Sequence, residues 1–237
     1  MIEVVEETAS TNADLVRRLG AGEGIGEGFW LRAVRQSAGR GRRGKAWSSP
    51  AGNLYASTVV ALRAGDPPVH TLAFVAALAV RDLVVSLLPH DIAVQLKWPN
   101  DVLVEGAKIS GILLERCGDH VIVGIGINVV SAPELSDRAT TSILASGAAD
   151  IDAQGVLEVL DTRFVERLAQ WRREGLSGTL SAWQQGAYPL GTALKVMLDG
   201  EGQVTGTFAG LDPDGALRLR LAEGGLRVIH AGDVSLV

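Results

Sequence analysis

The pattern of apolar and polar positions along the chain predicts a mixed fold of helices and strands. Strict alternation from Ile92 to Trp98, followed by Pro99, is typical of a strand that ends at the proline. Apolar residues that recur at helical spacing predict an amphipathic helix over 153–173. The same criteria predict the other elements of this part of the chain: a helix over 12–19, strands over 29–36, 53–62 and 120–130, and a hairpin over 101–116 that turns near 105–107.

The most apolar segment covers residues 71–88, with the sequence TLAFVAALAVRDLVVSLL. Arg81 and Asp82 interrupt it, and neither half is long enough to cross a bilayer. We therefore expect no membrane partner, and predict a helix buried in the protein core that ends near Pro89.

After Pro189 the pattern changes to short strands that alternate with turns such as DGEG (199–202) and DPDG (212–215). The change predicts a domain boundary, with one domain over 1–188 and a second over 189–237. About five strands are enough for a small β-barrel, and their sequences are LKVML, QVTGTFAGL, ALRLRL, LRVIH and DVSLV.

Composition and charge narrow the class of partner. The chain has 237 residues, of which 47% are hydrophobic, and its formal net charge is −5. That length is sufficient for one large domain, a small one and a substantial core. An acidic chain is a poor non-specific binder of nucleic acid, because contacts to phosphate drive that affinity. We therefore expect no DNA partner.

Positive charge is nevertheless concentrated in the sequence GRGRRGKAWSS, residues 39–49. Glycine lets a backbone approach a ligand closely, and arginine and lysine bind anions. The spacing from Gly39 to Gly44 and Lys45 is that of a Walker A motif, but Ala46 stands where that motif needs a hydroxyl, and no helix follows. A solvated basic loop is the simplest alternative. A basic island on an acidic chain favours a site for a small anion.

The cysteine and histidine content of the chain indicates neither a disulfide nor a metal site. Cys117 is the single cysteine, and the four histidines are scattered without ligand spacing. The N-terminal sequence, MIEVVEETAS, is acidic and lacks the apolar region of a signal peptide. We therefore expect an intracellular, cytoplasmic protein with no metal site built from protein side chains alone.

Two further stretches carry candidate chemistry. KWPND (97–101) places a lysine, an amide and a carboxylate where a strand ends, although it also reads as an ordinary turn. KISGILLE (108–115) puts Lys108 directly after a hairpin turn, where an exposed edge lysine is the simpler interpretation. Strict alternation sets Lys108 and Ser110 on one face of that strand and Ile109 on the other. The functional hypothesis is that Lys108 points across the sheet at the ligand of the basic loop.

GIGIN (124–128) follows an apolar run and resembles the start of a dinucleotide-binding fingerprint. That fingerprint needs a third glycine, and Val129 occupies its position. A bulged or closely approached strand is therefore the better interpretation of GIGIN.

The order and spacing of these motifs resemble the biotin–protein ligases. The resemblance covers residues 6–128 and is carried by ETASTN, VRQSAGRGRRGKAWSS, GNLYAS, LKWPNDV, KISGILLE and GIGIN. The turn-rich C-terminal segment, with AGDVSLV, is similar to the small SH3-like domain of that family. The resemblance implies an α+β fold: a mixed, mostly antiparallel sheet packed with helices, of the class II synthetase-like biotin/lipoate ligase type, plus a small C-terminal SH3-like β-barrel.

The resemblance also implies a two-step reaction. Biotin and ATP, with Mg²⁺, give biotinyl-5′-AMP and pyrophosphate, and the biotinyl group then passes to a lysine on a carrier protein. Because the first step joins two anions, cations must screen both of them. We expect residues 39–48 to be disordered without ligand and to order over the adenylate, which excludes water.

The family's functional positions map onto the same motifs. The implied catalytic residues are Lys108, Arg40 and Arg42, which meet the carboxylate and the phosphate, and Asp101, which orients or deprotonates the incoming amine. The implied biotin-binding residues are Ser10, Thr11, Asn12, Gln36, Gly39, Arg40, Trp47, Tyr55, Lys108 and Gly111. The implied adenylate-binding residues are Arg42, Arg43, Trp47, Asn100, Lys108 and Asn128.

The implied partner is the biotin carboxyl carrier protein, or carrier domain, of a biotin-dependent carboxylase. Few residues precede ETASTN, so we expect no winged-helix DNA-binding domain and no repressor function. Both a monomer and a homodimer are compatible with the sequence. Two other functions stay open: a lipoate or octanoate-type acyl-adenylate ligase, and a nucleic-acid-binding module in which Trp47 stacks on bases.

Overall fold

A computed structural model describes residues 1–148, 150–198, 200 and 202–236 of the chain. Part of the predicted turn at 199–202 and the last residue of the final predicted strand lie outside these residues. The described residues form two sheets and three α-helices. The helices are α1 (Thr11–Gly20), α2 (Leu72–Leu87) and α3 (Ala153–Gly186).

The larger sheet has seven strands in the order β1-β2-β3-β7-β6-β5-β4. All neighbouring strands pair antiparallel except β1 and β2, which are parallel, so the predicted mixed, mostly antiparallel sheet is confirmed. The strands are β1 (Ile2–Thr8), β2 (Trp30–Gln36), β3 (Leu54–Ala61), β4 (Val94–Lys97), β5 (Asp101–Val104), β6 (Ala107–Cys117) and β7 (His120–Ile127).

The two faces of this sheet are covered differently. Helices α2 and α3 pack together on one face, over the inward-facing residues of β3 and β5–β7, and form the main hydrophobic core. The shorter α1 packs on the opposite face, where Leu15 contacts a second, smaller cluster that includes Val59 and Ile122. Because α1 covers only part of its face, the remaining surface is available for a cavity.

Helix α2, with the turn before it, is long and apolar enough by composition to cross a membrane. Most of its residues are instead buried inside the protein, and residues 74–80 are each at most 3% exposed. Helix α3 packs along it, and Arg167 binds Asp82 with two hydrogen bonds of 2.7 and 3.0 Å. The predicted buried core helix is confirmed.

The smaller sheet has five strands in the order β11-β10-β9-β8-β12, which is consistent with the predicted small β domain. Within the described residues β11 and β12 are its edges, so the sheet is open and the closure of a barrel is not observed. Its strands are β8 (Ala193–Leu198), β9 (Gly202–Leu211), β10 (Leu217–Arg220), β11 (Leu226–Ile229) and β12 (Asp233–Leu236).

The small sheet packs directly on the rest of the protein. The indole of Trp98, buried at the end of β4, donates a 3.0 Å hydrogen bond to the carbonyl oxygen of Gly215. Apolar residues of both sheets, including Leu217 and Leu219, belong to one continuous core. Residues at the N-terminal end of β12 therefore have a fixed position relative to the large sheet.

Two elements differ from the sequence-based expectation. β1 was not predicted, because its alternating polar residues lie on an exposed sheet edge and give little apolar periodicity. Helix α3 extends to Gly186 rather than ending at residue 173, with a break at Gly175, where φ is 71°. Glycine adopts that conformation without steric cost, so the chain changes direction there and continues as a second helical segment.

Candidate active site

The predicted functional residues meet in one cavity on the face of the large sheet that carries α1. Its volume is about 580 Å³, and both the basic loop (residues 39–49) and the neighbouring parts of β6 and β7 line it. Arg40 and Lys108 therefore share a single cavity. Every residue that the family resemblance implied lies on its wall: Ser10, Thr11, Asn12, Gln36, Gly39, Arg40, Arg42, Arg43, Trp47, Tyr55, Asn100, Asp101, Lys108, Gly111 and Asn128.

The basic loop folds back on itself at the mouth of the cavity. Arg40 and Ala46 pair as a short antiparallel bridge, and a single 3-10 turn lies between them. At the base of the loop, a Cβ atom on Gly39 would lie 2.5 Å from the carbonyl oxygen of Trp47. Only glycine fits at that position, because real Cβ atoms do not approach a backbone atom so closely.

Trp47 extends from the loop across the floor of the cavity. A Cβ atom on Gly126 would lie 2.6 Å from Cε2 of the indole, and one on Gly111 would lie 3.1 Å from its Cζ3. The missing side chains therefore let the ring rest on the sheet. Lys108 Nζ lies 5.3 Å from the ring centroid, within the range of a cation–π contact. Among the described residues the buried indole N–H has no hydrogen-bond partner.

Asp101 holds two lysines at the edge of this floor. Its Oδ1 lies 2.6 Å from Lys108 Nζ and its Oδ2 lies 3.0 Å from Lys97 Nζ, and its side chain is 7% exposed. Burial alone would raise the pKa of the Asp101 carboxyl, but Lys108 and Lys97 outweigh burial and hold that pKa below its ordinary value. Burial lowers the pKa of Lys108, and the neighbouring cations Lys97 and Arg138 act in the same direction, against Asp101.

The predicted side-chain alternation along β6 is wrong at one point. Ser110 is fully buried and is not among the lining residues, whereas a Cβ atom on Gly111 would lie 3.3 Å from Lys108 Nζ. The cause is a register shift between β5 and β6, where Val102 pairs with Ser110 but Leu103 pairs with Lys108. The bulge places Lys108 and Gly111 on the cavity face, so Lys108 points at the basic loop as predicted.

Two predicted amides hold backbone segments around the cavity. Arg42 Nη1 donates a 3.2 Å hydrogen bond to Oδ1 of Asn100, whose Nδ2 donates to the carbonyl of Ile112 at 2.7 Å. The Nδ2 of Asn128 donates to the carbonyl of Thr141 at 3.0 Å. These bonds join the basic loop to β6, and the end of β7 to the segment that follows it.

A row of hydroxyl and amide groups forms the other end of the cavity. Ser10 caps α1, and its hydroxyl accepts from the backbone N–H of Ala13. The backbone N–H of Thr11 donates to Gln36 Oε1 at 2.9 Å. A Cβ atom on Gly124 would lie 2.2 Å from Asn12 Oδ1, so that glycine makes room for the Asn12 amide. GIGIN is therefore a closely approached strand, as predicted.

Sequence reasoning missed several wall residues. Gly232 and Asp233, at the start of β12, line the cavity, and Asp233 forms an ion pair with Lys45 of the basic loop. The segment over residues 133–140 lines it too, and the backbone N–H of Lys108 donates to the carbonyl of Ala139 at 2.9 Å. Neither region has a distinctive sequence motif. Both reach the site through packing between distant parts of the chain, which the local sequence does not show.

The buried Asn53, also missed, shapes the wall from a distance. Its Oδ1 accepts hydrogen bonds from the backbone N–H groups of Val129 and Val130, at 2.8 and 2.9 Å. These bonds turn the chain immediately after Asn128. The sequence signal that could have identified Asn53 is its amide in GNLYAS, at the start of a strand.

In the described part of the chain, no group of three or more His, Cys, Asp or Glu side chains is placed to hold a metal ion. The cavity instead offers arginine, lysine and amide groups, which bind carboxylates and phosphates.

Two family models match the sequence. The "Biotin/lipoate A/B protein ligase family" matches residues 27–128, and the "Biotin protein ligase C terminal domain" matches residues 195–237. These ranges contain the basic loop, the KWPND and KISGILLE motifs and most of the small sheet.

Similar proteins match over nearly the whole chain. The biotin–acetyl-CoA-carboxylase ligase of Mycobacterium tuberculosis is 38% identical over 98% of this chain and 88% of its own length. The ligase of the same name from Paracoccus denitrificans is 35% identical over 98% of both chains. The structure of the biotin protein ligase from Aquifex aeolicus in complex with biotin and ATP superposes with a TM-score of 0.83 at 30% identity, covering 100% of this chain and 98% of that one. This chain therefore belongs to the biotin protein ligases of the biotin/lipoate A/B protein ligase family.

Proposed function

We propose that this protein activates biotin with MgATP to biotinyl-5′-AMP and transfers the biotinyl group to a lysine of a biotin carboxyl carrier protein or domain. The observation that supports this function most directly is that Arg40, Arg42 and Lys108, from two distant parts of the sequence, line one cavity. The names and ligands of the similar proteins support the same reaction.

In the first step, an oxygen of the biotin carboxylate forms a bond to the α-phosphorus of ATP, and the bond from that phosphorus to pyrophosphate breaks. The two reactants are both anionic and repel each other as they approach. Arg40 and Arg42 supply positive charge from the loop, and Lys108 supplies it from the sheet. Charge fixed in advance at the meeting point lowers the barrier, because little reorganisation is needed at the moment of reaction.

In the second step, the amine of the acceptor lysine attacks the acyl carbonyl, AMP leaves, and the nitrogen loses a proton as the amide forms. Asp101 is a weak base for that proton, since both of its carboxylate oxygens bind lysines and its pKa is lowered. We therefore propose that the role of Asp101 is to hold Lys108 in place at the floor of the cavity. Trp47, which covers that floor, excludes water from the mixed anhydride.

The carrier domain of an acetyl-CoA carboxylase or a related carboxylase is the proposed acceptor, on the names of the similar ligases. We propose no DNA partner and no repressor activity, in keeping with the net charge of −5. A cytoplasmic location is proposed because the substrate carrier and ATP are intracellular.

The proposed function is tested by incubating the protein with biotin, ATP, Mg²⁺ and a biotin carboxyl carrier domain, and measuring the mass of the carrier. One added biotinyl group per carrier is expected, on the target lysine only. A carrier of unchanged mass, together with no biotin-dependent exchange between ATP and pyrophosphate, would refute the proposal.

A lipoate or octanoate ligase is the alternative within the same fold. The polar row at Thr11, Asn12 and Gln36 favours biotin, because a ureido ring uses hydrogen-bonding groups that a dithiolane ring or an alkyl chain leaves unpaired. Exchange assays with lipoate and octanoate in place of biotin separate these functions. Turnover of either acid at the rate of biotin would favour the alternative.

A further inference from the structure

A hydrogen-bonded chain of side chains runs from the edge of β6 to the cavity wall. Asn12 Nδ2 lies 2.7 Å from Glu115 Oε2, and Asn12 Oδ1 accepts a 2.6 Å bond from the hydroxyl of Ser57. Ser57 Oγ in turn lies 2.7 Å from Thr11 Oγ1. Ser57 is fully buried, and Thr11 and Asn12 are each 4% exposed.

The directions of the Asn12 and Ser57 donors in this chain are fixed from its outer end. The Glu115 carboxylate and the Leu113 carbonyl, which lies 3.5 Å from Asn12 Nδ2, are acceptors, so the amide nitrogen of Asn12 must face them. Its oxygen then takes the one hydroxyl proton of Ser57. The oxygen of Ser57 can therefore only accept, and at 2.7 Å it is the nearer of two acceptors for the hydroxyl proton of Thr11, the other being Gln36 Oε1 at 3.2 Å.

A second chain reaches the same wall from the basic loop. The hydroxyl of Ser49 donates to the carbonyl oxygen of Trp47 at 2.9 Å, and Gln36 Nε2 donates to Ser49 Oγ at 3.2 Å. A backbone carbonyl can only accept, so it fixes the orientation of the Gln36 amide. The oxygen of Gln36 consequently faces Thr11, from which it accepts the backbone N–H.

We propose that Glu115 and Ser57 are positioning residues that set the hydrogen-bond polarity of this wall. Thr11 has one hydroxyl proton, which Ser57 Oγ at 2.7 Å or Gln36 Oε1 at 3.2 Å can accept. With that proton held by Ser57, Thr11 Oγ1 and Gln36 Oε1 both keep lone pairs for a ligand in the cavity. Two adjacent acceptors are matched by a ligand that offers N–H donors and are left unsatisfied by one that offers none. This inference rests on the proposed function. It attributes the selection of the ureido ring of biotin, over acids that lack an N–H, to this pair of acceptors.

The inference is tested with Ser57→Ala, which leaves Gln36 Oε1 as the side-chain acceptor of the Thr11 proton and so occupies one of the two ligand acceptors. Thr58→Val is the matched control: Thr58 is as buried as Ser57, but its hydroxyl bonds the carbonyl of Phe29 on the other face of the sheet. The substrates are biotin and two analogues in which one or the other ureido N–H is replaced by a ring oxygen. The measurement is biotin-dependent ATP–pyrophosphate exchange.

We expect Ser57→Ala to raise the KM for biotin about fivefold, the effect of losing one neutral hydrogen bond, with the KM for ATP within twofold of wild type. We also expect its preference for biotin over at least one analogue to fall about tenfold. Glu115→Gln should shift the preference in the same direction, because a glutamine amide can donate to Asn12 and lets that side chain reverse.

An unchanged preference for both analogues in Ser57→Ala and Glu115→Gln would overturn the inference, as would an equal change in Thr58→Val. A purely structural role for Ser57 would alter stability and the KM for both substrates without altering this preference. If the wild-type protein itself fails to turn over biotin, the proposed function falls and the inference falls with it. If wild type turns over biotin but the preference does not move, only the inference falls.

Discussion

The ammonium group of Lys108 lies 2.6 Å from one oxygen of Asp101, while Lys97 occupies the other oxygen at 3.0 Å. One buried carboxylate therefore keeps two like charges side by side at the edge of the cavity. An anionic ligand that enters next to Lys108 finds a cation that is already placed and largely desolvated. Such a cation interacts more strongly with a developing charge than a solvated one does.

Replacing Lys108 should remove adenylate formation and leave the fold intact. We expect Lys108→Ala to reduce biotin-dependent pyrophosphate exchange by at least about a hundredfold, the usual effect of deleting one fixed electrostatic contact to a transition state. Lys195→Ala, which removes an exposed lysine on β8 away from the cavity, is the control and should keep full activity. Full activity in Lys108→Ala would contradict its assigned role.

Asp101 should stabilise the fold only when it is ionised. Because its folded-state pKa is lowered, its contribution is present above the unfolded pKa of about 3.9 and is lost as the pH falls through the folded value. We expect Asp101→Asn to be less stable by about 3 kcal/mol at pH 7, since two cations lose their buried partner. Urea unfolding of both proteins between pH 7 and about pH 3 should show the difference shrinking with acid. A difference that grows with acid would contradict this account.

The glycine floor should be essential for the position of Trp47. A Cβ atom at residue 126 would lie 2.6 Å from the indole, so Gly126→Ala must displace the ring. We expect the KM for biotin to rise at least about tenfold, with little change in the melting temperature, because the loop can move without unfolding the sheet. Gly225→Ala introduces a methyl group into open space and should behave as wild type. Equal KM values for the two variants would refute the role of the floor.

The ion pair between Lys45 and Asp233 should restrain the basic loop. Burial acts to raise the pKa of the Asp233 carboxyl, but Lys45, Lys97 and Arg138 together hold it below its ordinary value. We expect Asp233→Asn to increase the rate at which trypsin cuts the Arg- and Lys-rich loop over 40–45, and biotin with ATP to slow cutting in both proteins. An exposed pair contributes less than about 1 kcal/mol, so the melting temperature should barely change. If Asp233→Asn is cut at the wild-type rate, the ion pair does not restrain the loop. If biotin with ATP does not slow cutting, the predicted ordering of the loop over the ligand is wrong.

Much of the fold was predictable because strong periodicity and local burial coincide. The alternation before Pro99 and the apolar run over 72–87 both correspond to real elements, as β4 and α2. β1 was missed because it is an exposed edge, and the second half of α3 because the break at Gly175 resembles a helix end. The boundary between the domains at residue 188 stays a prediction.

The candidate site was predictable where one short motif carries several functional groups, as in the basic loop and KWPND. It was not predictable where the wall depends on contacts across the fold. Asn12 was placed by resemblance, but its partner Glu115 lies 103 residues later. The face of Ser110 was assigned wrongly because a bulge cannot be read from alternation alone.

The contact between Lys45 and Asp233 joins residues 188 positions apart. During synthesis the loop, the hairpin and the glycine floor all leave the ribosome long before the strand that begins at Asp233. A nascent chain can therefore assemble most of the cavity before Gly232 and Asp233 complete its lining. Truncated products that stop short of β12 should lack Asp233 from the cavity wall and be impaired as enzymes, even where their large sheet has folded.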